Sequence, residues 1–155
     1  MDSTISFTDR GDKPQLEEAL EFAPKFDADG LIPAVALCAK TGQPLMLAYM
    51  NADSLKLTLQ KGEAVYYSRS RQEIWHKGAT SGHVQKLKEI RTDCDQDAIV
   101  MVVEQIGEGA CHTGRSGCFY RSIPFGEDLK SDPVMMEWVD GGTKRFDPDA
   151  VYGNS

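Results

Sequence analysis

The sequence predicts a small sheet-dominated fold, mainly β on the border with α+β. Three observations lead there. About six short apolar runs are separated by turn residues. Only one stretch carries clear helical spacing with caps at both ends. The regular strand–helix alternation of a doubly wound parallel sheet is absent.

The elements follow in order. Residues 1–30 are polar, with acidic helical patches around Leu16–Phe22, and read as a loosely attached N-terminal arm. Residues 32–38 (IPAVALC) and 44–50 (PLMLAYM) read as two buried strands joined by a turn through Lys40, Gly42 and Gln43. Residues 52–61 (ADSLKLTLQK) place Leu55 and Leu59 at i, i+4, with Asn51 or Asp53 as N-cap and Gly62 as C-cap. That pattern is a short helix. Ala64–Arg69 returns to strand. Val84–Ile90 alternates imperfectly but favours β, and Ala98–Val103 (AIVMVV) is the strongest strand of the chain. The glycine-rich segment 107–117 excludes a regular element, and Cys118–Ile123 reads as a last strand. From Pro124 onward the chain is loop-rich and acidic. All 155 residues read as one domain, with 124–155 as a C-terminal tail.

Charge and composition exclude several functions. There are 17 Lys and Arg against 24 Asp and Glu, a net charge of −7. Bulk nucleic-acid or anionic-membrane binding needs the opposite sign. No apolar run approaches the roughly 20 residues of a membrane span. The first residues lack the basic start and apolar core of a signal peptide, so a cytoplasmic location is expected. The charge is uneven: between Ala64 and Arg91, six basic residues (Arg69, Arg71, Lys77, Lys86, Lys88, Arg91) face only Glu73 and Glu89. Such an island suits a small phosphorylated ligand, or is a solvated strand face.

Three constellations carry chemistry. Asp93-Cys94-Asp95-Gln96-Asp97 puts three carboxylates at spacing two, on one side of an extended chain, with Cys94 on the other. Carboxylates suit Mg²⁺ or Ca²⁺ and a thiolate suits Zn²⁺, although an acidic turn has the same composition. An EF-hand is excluded, because Ala98 stands where its loop needs Gly and a strand follows. The second constellation, residues 109–118, carries Cys111, His112 and Cys118. With Cys94 it offers three thiolates, the ligand number of a catalytic zinc with one open position. His112 adjoins a ligand and suits acid–base work better than ligation. Cys38, in an apolar run, reads as core. The third constellation, Trp75 to His83 (WHKGATSGH), combines an aromatic face, two imidazoles, an ammonium, two hydroxyls and two glycines. It fits base stacking and phosphate binding, or a polar turn between strands.

Taken together and in this order, WHKGATSGHVQ, DCDQD and ACHTGRSGCF resemble the phosphoribosyl-AMP cyclohydrolase family of histidine biosynthesis. The likeness is densest from about Leu45 to Ile123, roughly half the chain. The resemblance implies a small curved mixed β-sheet, a pseudo-barrel, in an intertwined homodimer. It implies hydrolytic opening of the purine N1–C6 bond of N1-(5-phosphoribosyl)-AMP to a formimino carboxamide product by zinc-activated water. It implies zinc on Cys94, Cys111 and Cys118, with Cys94 from one subunit and the other two from its partner, and Mg²⁺ on Asp93, Asp95 and Asp97. His112 is the expected acid–base group. Arg69, Arg71, Trp75, His76, Lys77, Thr80, Ser81 and His83 are the expected substrate contacts. Two departures from the family pattern stand out: Gly117 replaces a usual Ser, and the Gln105–Cys111 connection is one residue longer at Glu108-Gly109. With no fused pyrophosphohydrolase domain in view, cyclohydrolase activity alone is expected. The alternatives are a structural zinc module and a different zinc nucleotide hydrolase, such as a deaminase. Zinc deaminases attack adenine at C6, but their H-x-E…P-C-x-x-C signature is absent here.

Overall fold

The computed structural model describes residues 5–107 and 109–152; Glu108, one of the two residues of the lengthened connection, lies outside them. Six strands form the main sheet: β1 (Ile32–Cys38), β2 (Pro44–Met50), β3 (Val65–Ser68), β4 (Glu73–His76), β5 (Gln85–Thr92) and β6 (Ile99–Gln105). Their order is β4-β3-β2-β1-β6-β5. The β1–β6 pair is parallel and the others are antiparallel, so the sheet is mixed. Alternate residues of β1 (Ile32, Ala34, Ala36) and β6 (Ile99, Met101, Val103) are buried, which is the period of a sheet with one covered face. Met46 and Met50 from β2 and Tyr66 from β3 complete that core.

The sheet curls. Only Tyr49 and Tyr67 pair between β2 and β3, while the chain just before β3 reaches across to β5. Ala64 N donates to the Gln85 carbonyl at 2.9 Å, and Leu87 N donates to the Gly62 carbonyl at 2.8 Å. These bonds draw the two sides of the sheet toward closure at one end, giving the expected curved half-barrel.

Helix α2 (Ala52–Lys61) stands where its spacing placed it. Asn51 Oδ1 accepts from Ser54 N at 2.8 Å, and Ser54 Oγ accepts from Asn51 N at 2.9 Å, a reciprocal cap. Gly62 ends the helix in the left-handed region, φ 69°, where glycine carries no steric penalty. Leu55 is fully buried and Leu59 is exposed, so one of the two leucines carries the packing.

The arm, β4 and the end of the chain differ from expectation, while β5 forms as expected. The arm contains a short helix, α1 (Lys13–Glu18), and is fastened rather than loose. Buried Gln96 accepts from Ala23 N at 2.8 Å and donates to the Leu16 carbonyl at 3.1 Å, while Phe7, Phe22 and Phe26 pack on the core. β4 (Glu73–His76) is not among the expected strands, and its last two residues, Trp75 and His76, overlap the segment whose alternative reading is a polar turn. The alternation of β5 is imperfect because a bulge near Lys88 shifts its register between Leu87 and Glu89. The expected last strand shrinks to β7 (Arg121–Ser122), paired with β8 (Glu137–Trp138). A terminal helix, α3 (Pro148–Tyr152), follows. The tail returns to the 110–118 loop, with Arg145 N donating to the Gly114 carbonyl at 2.6 Å.

Candidate active site

The β3–β4 hairpin, the loop that follows it and the 109–118 loop build the site. Lys77 N donates to the Ala64 carbonyl at 3.2 Å, which continues the hairpin one residue past β4. The Lys77 side chain then turns inward, and its Nζ donates to the Ala110 carbonyl at 2.9 Å. That bond ties the two segments together beside Cys111, which is buried.

Cys111 and Cys118 face one another. Loss of solvent, then the charge of Cys111 and a hydrogen bond with it, push the Cys118 thiol up to about 12, although the residue keeps exposed surface. Thr113 Oγ1 donates to Cys111 Sγ at 3.1 Å. Cys118 N donates to the Leu45 carbonyl at 2.6 Å, so the end of the loop is pinned to β2. The departure at Gly117 has a physical basis here: a Cβ would stand 3.0 Å from Leu45 O and 3.2 Å from Pro44 O. Burial lowers the Lys77 ammonium from its ordinary value, against the opposing pull of Cys118 and Cys111.

Cys94 lies elsewhere, in the exposed turn between β5 and β6. Among the described residues, only Asp93, Asp95 and Asp97 form a group of three or more metal-capable side chains, with ligand atoms within 4.8 Å of one another. One protomer therefore assembles the carboxylates and the Cys111–Cys118 pair, but not the three cysteines. The acidic turn is internally braced: Asp93 Oδ1 accepts from Asp97 N at 3.0 Å and from Ala98 N at 3.2 Å. Burial works against ionising Asp93, yet hydrogen bonds from the Asp97 carboxyl, the Asp97 amide, Asp95 and the Ala98 amide outweigh it and hold its pKa low. Hydrogen bonding with Asp93, then Asp95, raises the Asp97 carboxyl to about 6.

The expected substrate contacts divide into groups. Arg69, Arg71 and Trp75 line one open groove of about 770 Å³ with Tyr49 and Tyr67. The Arg69 guanidinium lies 4.0 Å from the Tyr49 ring centroid, and Arg71 is 3.4 Å from Glu73. His76 Nε2 is 2.8 Å from Glu63 Oε1. Thr80 and Ser81 sit on the turn after β4, where Ser81 Oγ accepts from His83 N at 3.2 Å. The His83 ring meets Phe146 edge-on at 4.9 Å, and its Nδ1 is buried without a hydrogen-bond partner among the described residues. His112 is exposed beside Cys111. Lys88 and Arg91, also in the basic island, are engaged with Glu104 and Glu89.

Sequence reasoning missed a buried polar chain under the site. The Tyr66 hydroxyl donates to Gln85 Oε1 at 2.6 Å, and Gln85 Nε2 donates to Gln105 Oε1 at 2.9 Å. Gln105 Nε2 then donates to the carbonyls of His83 (2.9 Å) and Ile106 (3.0 Å). Burial, then the charge of Cys118, keep the Tyr66 phenol protonated well beyond its ordinary range. The available signal was Gln105 at the end of the apolar strand β6 and Gln85 at the start of β5. A buried amide demands partners on both sides, so it fixes whatever loop it touches.

The described residues thus give a small curled β-fold that carries paired thiols, a carboxylate cluster and a basic aromatic groove. The phosphoribosyl-AMP cyclohydrolase family model matches residues 46–120. Phosphoribosyl-AMP cyclohydrolase of Rhodopseudomonas palustris is 54% identical over 138 residues, covering 89% of each chain. That of Rhizobium leguminosarum bv. trifolii is 53% identical over 143 residues, 92% of each. That of Agrobacterium fabrum is 50% identical over 145 residues, 93% of each. The chain belongs to the phosphoribosyl-AMP cyclohydrolase family and is an enzyme. No helix among the described residues is long and apolar enough to cross a membrane.

Proposed function

We propose that this chain hydrolyses the N1–C6 bond of N1-(5-phosphoribosyl)-AMP, a step of L-histidine biosynthesis, in the cytoplasm. Water adds at C6, the N1–C6 bond opens, and the formimino aminoimidazole carboxamide ribotide leaves with every nitrogen retained. The observation that carries the reading is the buried Cys111 facing Cys118 beside a buried ammonium, in a chain of this family.

The donor sets fit two metals. Thiolates suit zinc, and Cys111 and Cys118 would hold it together with Cys94. Because Cys94 stands apart from the other two within one protomer, the third thiolate would come from a second copy. The exposed apolar side chains Phe119, Ile123, Phe125, Met135, Met136 and Trp138 support a homodimer, since that much apolar surface favours a protein partner. Carboxylate oxygens suit Mg²⁺, and a divalent cation on Asp93, Asp95 and Asp97 relieves their mutual repulsion.

Zinc, when bound, supplies an activated water at neutral pH. The remaining work falls to side chains. Trp75 offers its indole to the purine, while Arg69 and Arg71 attract the phosphoribosyl groups into the groove. Thr80 and Ser81 supply hydroxyls at the turn. Glu63 holds the His76 ring in place. His112 moves a proton at N1 or at the oxygen added to C6. An ultraviolet assay with phosphoribosyl-AMP, run beside an ammonia assay, tests the reaction. The expected result is ring-opened product with no ammonia; stoichiometric ammonia release would identify a deaminase instead.

A further inference from the structure

Lys77 enters the sequence reading as a substrate contact, but its side chain is 3% exposed. Among the described residues it makes no ion pair with a carboxylate. Its ammonium meets the Ala110 carbonyl at 2.9 Å, lies 5.6 Å from the Trp75 ring centroid, and feels the charges of Cys118 and Cys111. Burying an ionised group without an opposite charge is strongly unfavourable. A carbonyl and an aromatic face soften that cost without cancelling the charge. Among the described residues, the neighbouring groups able to carry a full negative charge are the two thiols.

We propose that Lys77 is a positioning residue of the cysteine site: its ammonium holds the 109–118 loop through Ala110 and offsets the thiolate charge of Cys111 and Cys118, instead of binding a substrate phosphate. This rests on the zinc reading above. The hairpin supports the assignment, because the Lys77 amide is bonded to the Ala64 carbonyl and the side chain has a fixed origin. Three thiolates leave a divalent zinc site with one excess negative charge, which weakens its action as a Lewis acid. A fixed ammonium beside two of those thiolates cancels the excess. Phosphate binding then falls to the exposed Arg69 and Arg71 of the groove.

The test compares wild-type protein with Lys77→Met and Lys77→Arg. Zinc affinity is read by competition with a chromophoric chelator, and cobalt(II) replaces zinc to report the thiolate-to-metal absorption band. Lys77→Met should bind zinc about 10- to 100-fold more weakly, the usual effect of losing a residue that supports metal ligands. Its cobalt band should shift, and kcat should fall with KM little changed. Lys77→Arg, which keeps the charge, should recover a large part of the affinity. Wild-type zinc and cobalt binding in Lys77→Met, with a rise in KM alone, would overturn the proposal and return Lys77 to the phosphate.

A second variant covers the case in which Lys77→Met does not fold: Lys77→Gln keeps a hydrogen-bond donor toward the Ala110 carbonyl and removes the charge. It should bind zinc about 10- to 100-fold more weakly. Wild-type zinc affinity in Lys77→Gln overturns the proposal. If wild-type protein binds no zinc, the metal reading fails and takes this inference with it. If wild type binds zinc and Lys77→Met matches it, only this inference fails.

Discussion

Cys111→Ala is expected to lose its zinc and its turnover together, with far-ultraviolet circular dichroism close to wild type. Cys111 is buried and faces Cys118, and Thr113 bonds to its sulfur, so its removal dismantles the pair. Alanine keeps the site apolar and leaves only a small void, so the fold should survive. The loss of a metal-activated water is worth several kcal/mol of barrier, a fall in kcat/KM on the order of a thousandfold or more. Metal content by atomic absorption and turnover by ultraviolet assay check both halves. Full activity without zinc would show that the cysteines serve packing alone.

Mixing two inactive proteins should restore activity. Cys94 sits in the acidic turn between β5 and β6, whereas Cys111 and Cys118 meet at the far end of β2 through the Leu45 carbonyl. A site using all three therefore needs two copies. Cys94→Ala keeps the Cys111–Cys118 pair, and Cys118→Ala keeps Cys94. In a mixed dimer one of the two sites is whole. Random exchange of equal amounts should give roughly a quarter of wild-type activity, because half of the dimers are mixed and each has one working site. Co-refolding the two variants, then measuring turnover, reads the result. A mixture that stays inactive after verified exchange would place all three ligands within one chain.

The chemistry was more legible in the sequence than the packing that supports it. Helix α2 was readable because its caps are local: Asn51, Ser54 and Gly62 sit within one helix length. β1, β2 and β6 were readable because their alternation or apolar runs match a covered sheet face. β4 was hidden, because Trp75 and His76 carry enough polar chemistry in their neighbourhood to look like a loop. The paired strand β3 decides otherwise, through Val65–His76 and Tyr66–Trp75 partners that no local pattern reveals. The anchoring of the arm depends on Gln96, a residue 73 positions from Ala23, and no local reading joins those two.

The site shows the same division. The cysteines, carboxylates and basic groove residues announced themselves by type and spacing. The state of each did not. Lys77 was legible as a cation beside Trp75, but its burial and its bond to Ala110 were not. The Tyr66–Gln85–Gln105 chain escaped notice because its three members come from separate strands and meet only in the curled sheet. Gly117 looked like a simple departure from a pattern, and the closeness of the Leu45 carbonyl gives it a reason.

Turnover of phosphoribosyl-AMP by the purified protein, followed in the ultraviolet with and without a zinc chelator, tests the central claim most directly. The account predicts ring opening that the chelator abolishes and that added zinc restores in the presence of Mg²⁺. Turnover undiminished in protein shown to be free of zinc would contradict the mechanism. No turnover with both metals supplied would contradict the assigned reaction and favour a structural zinc module.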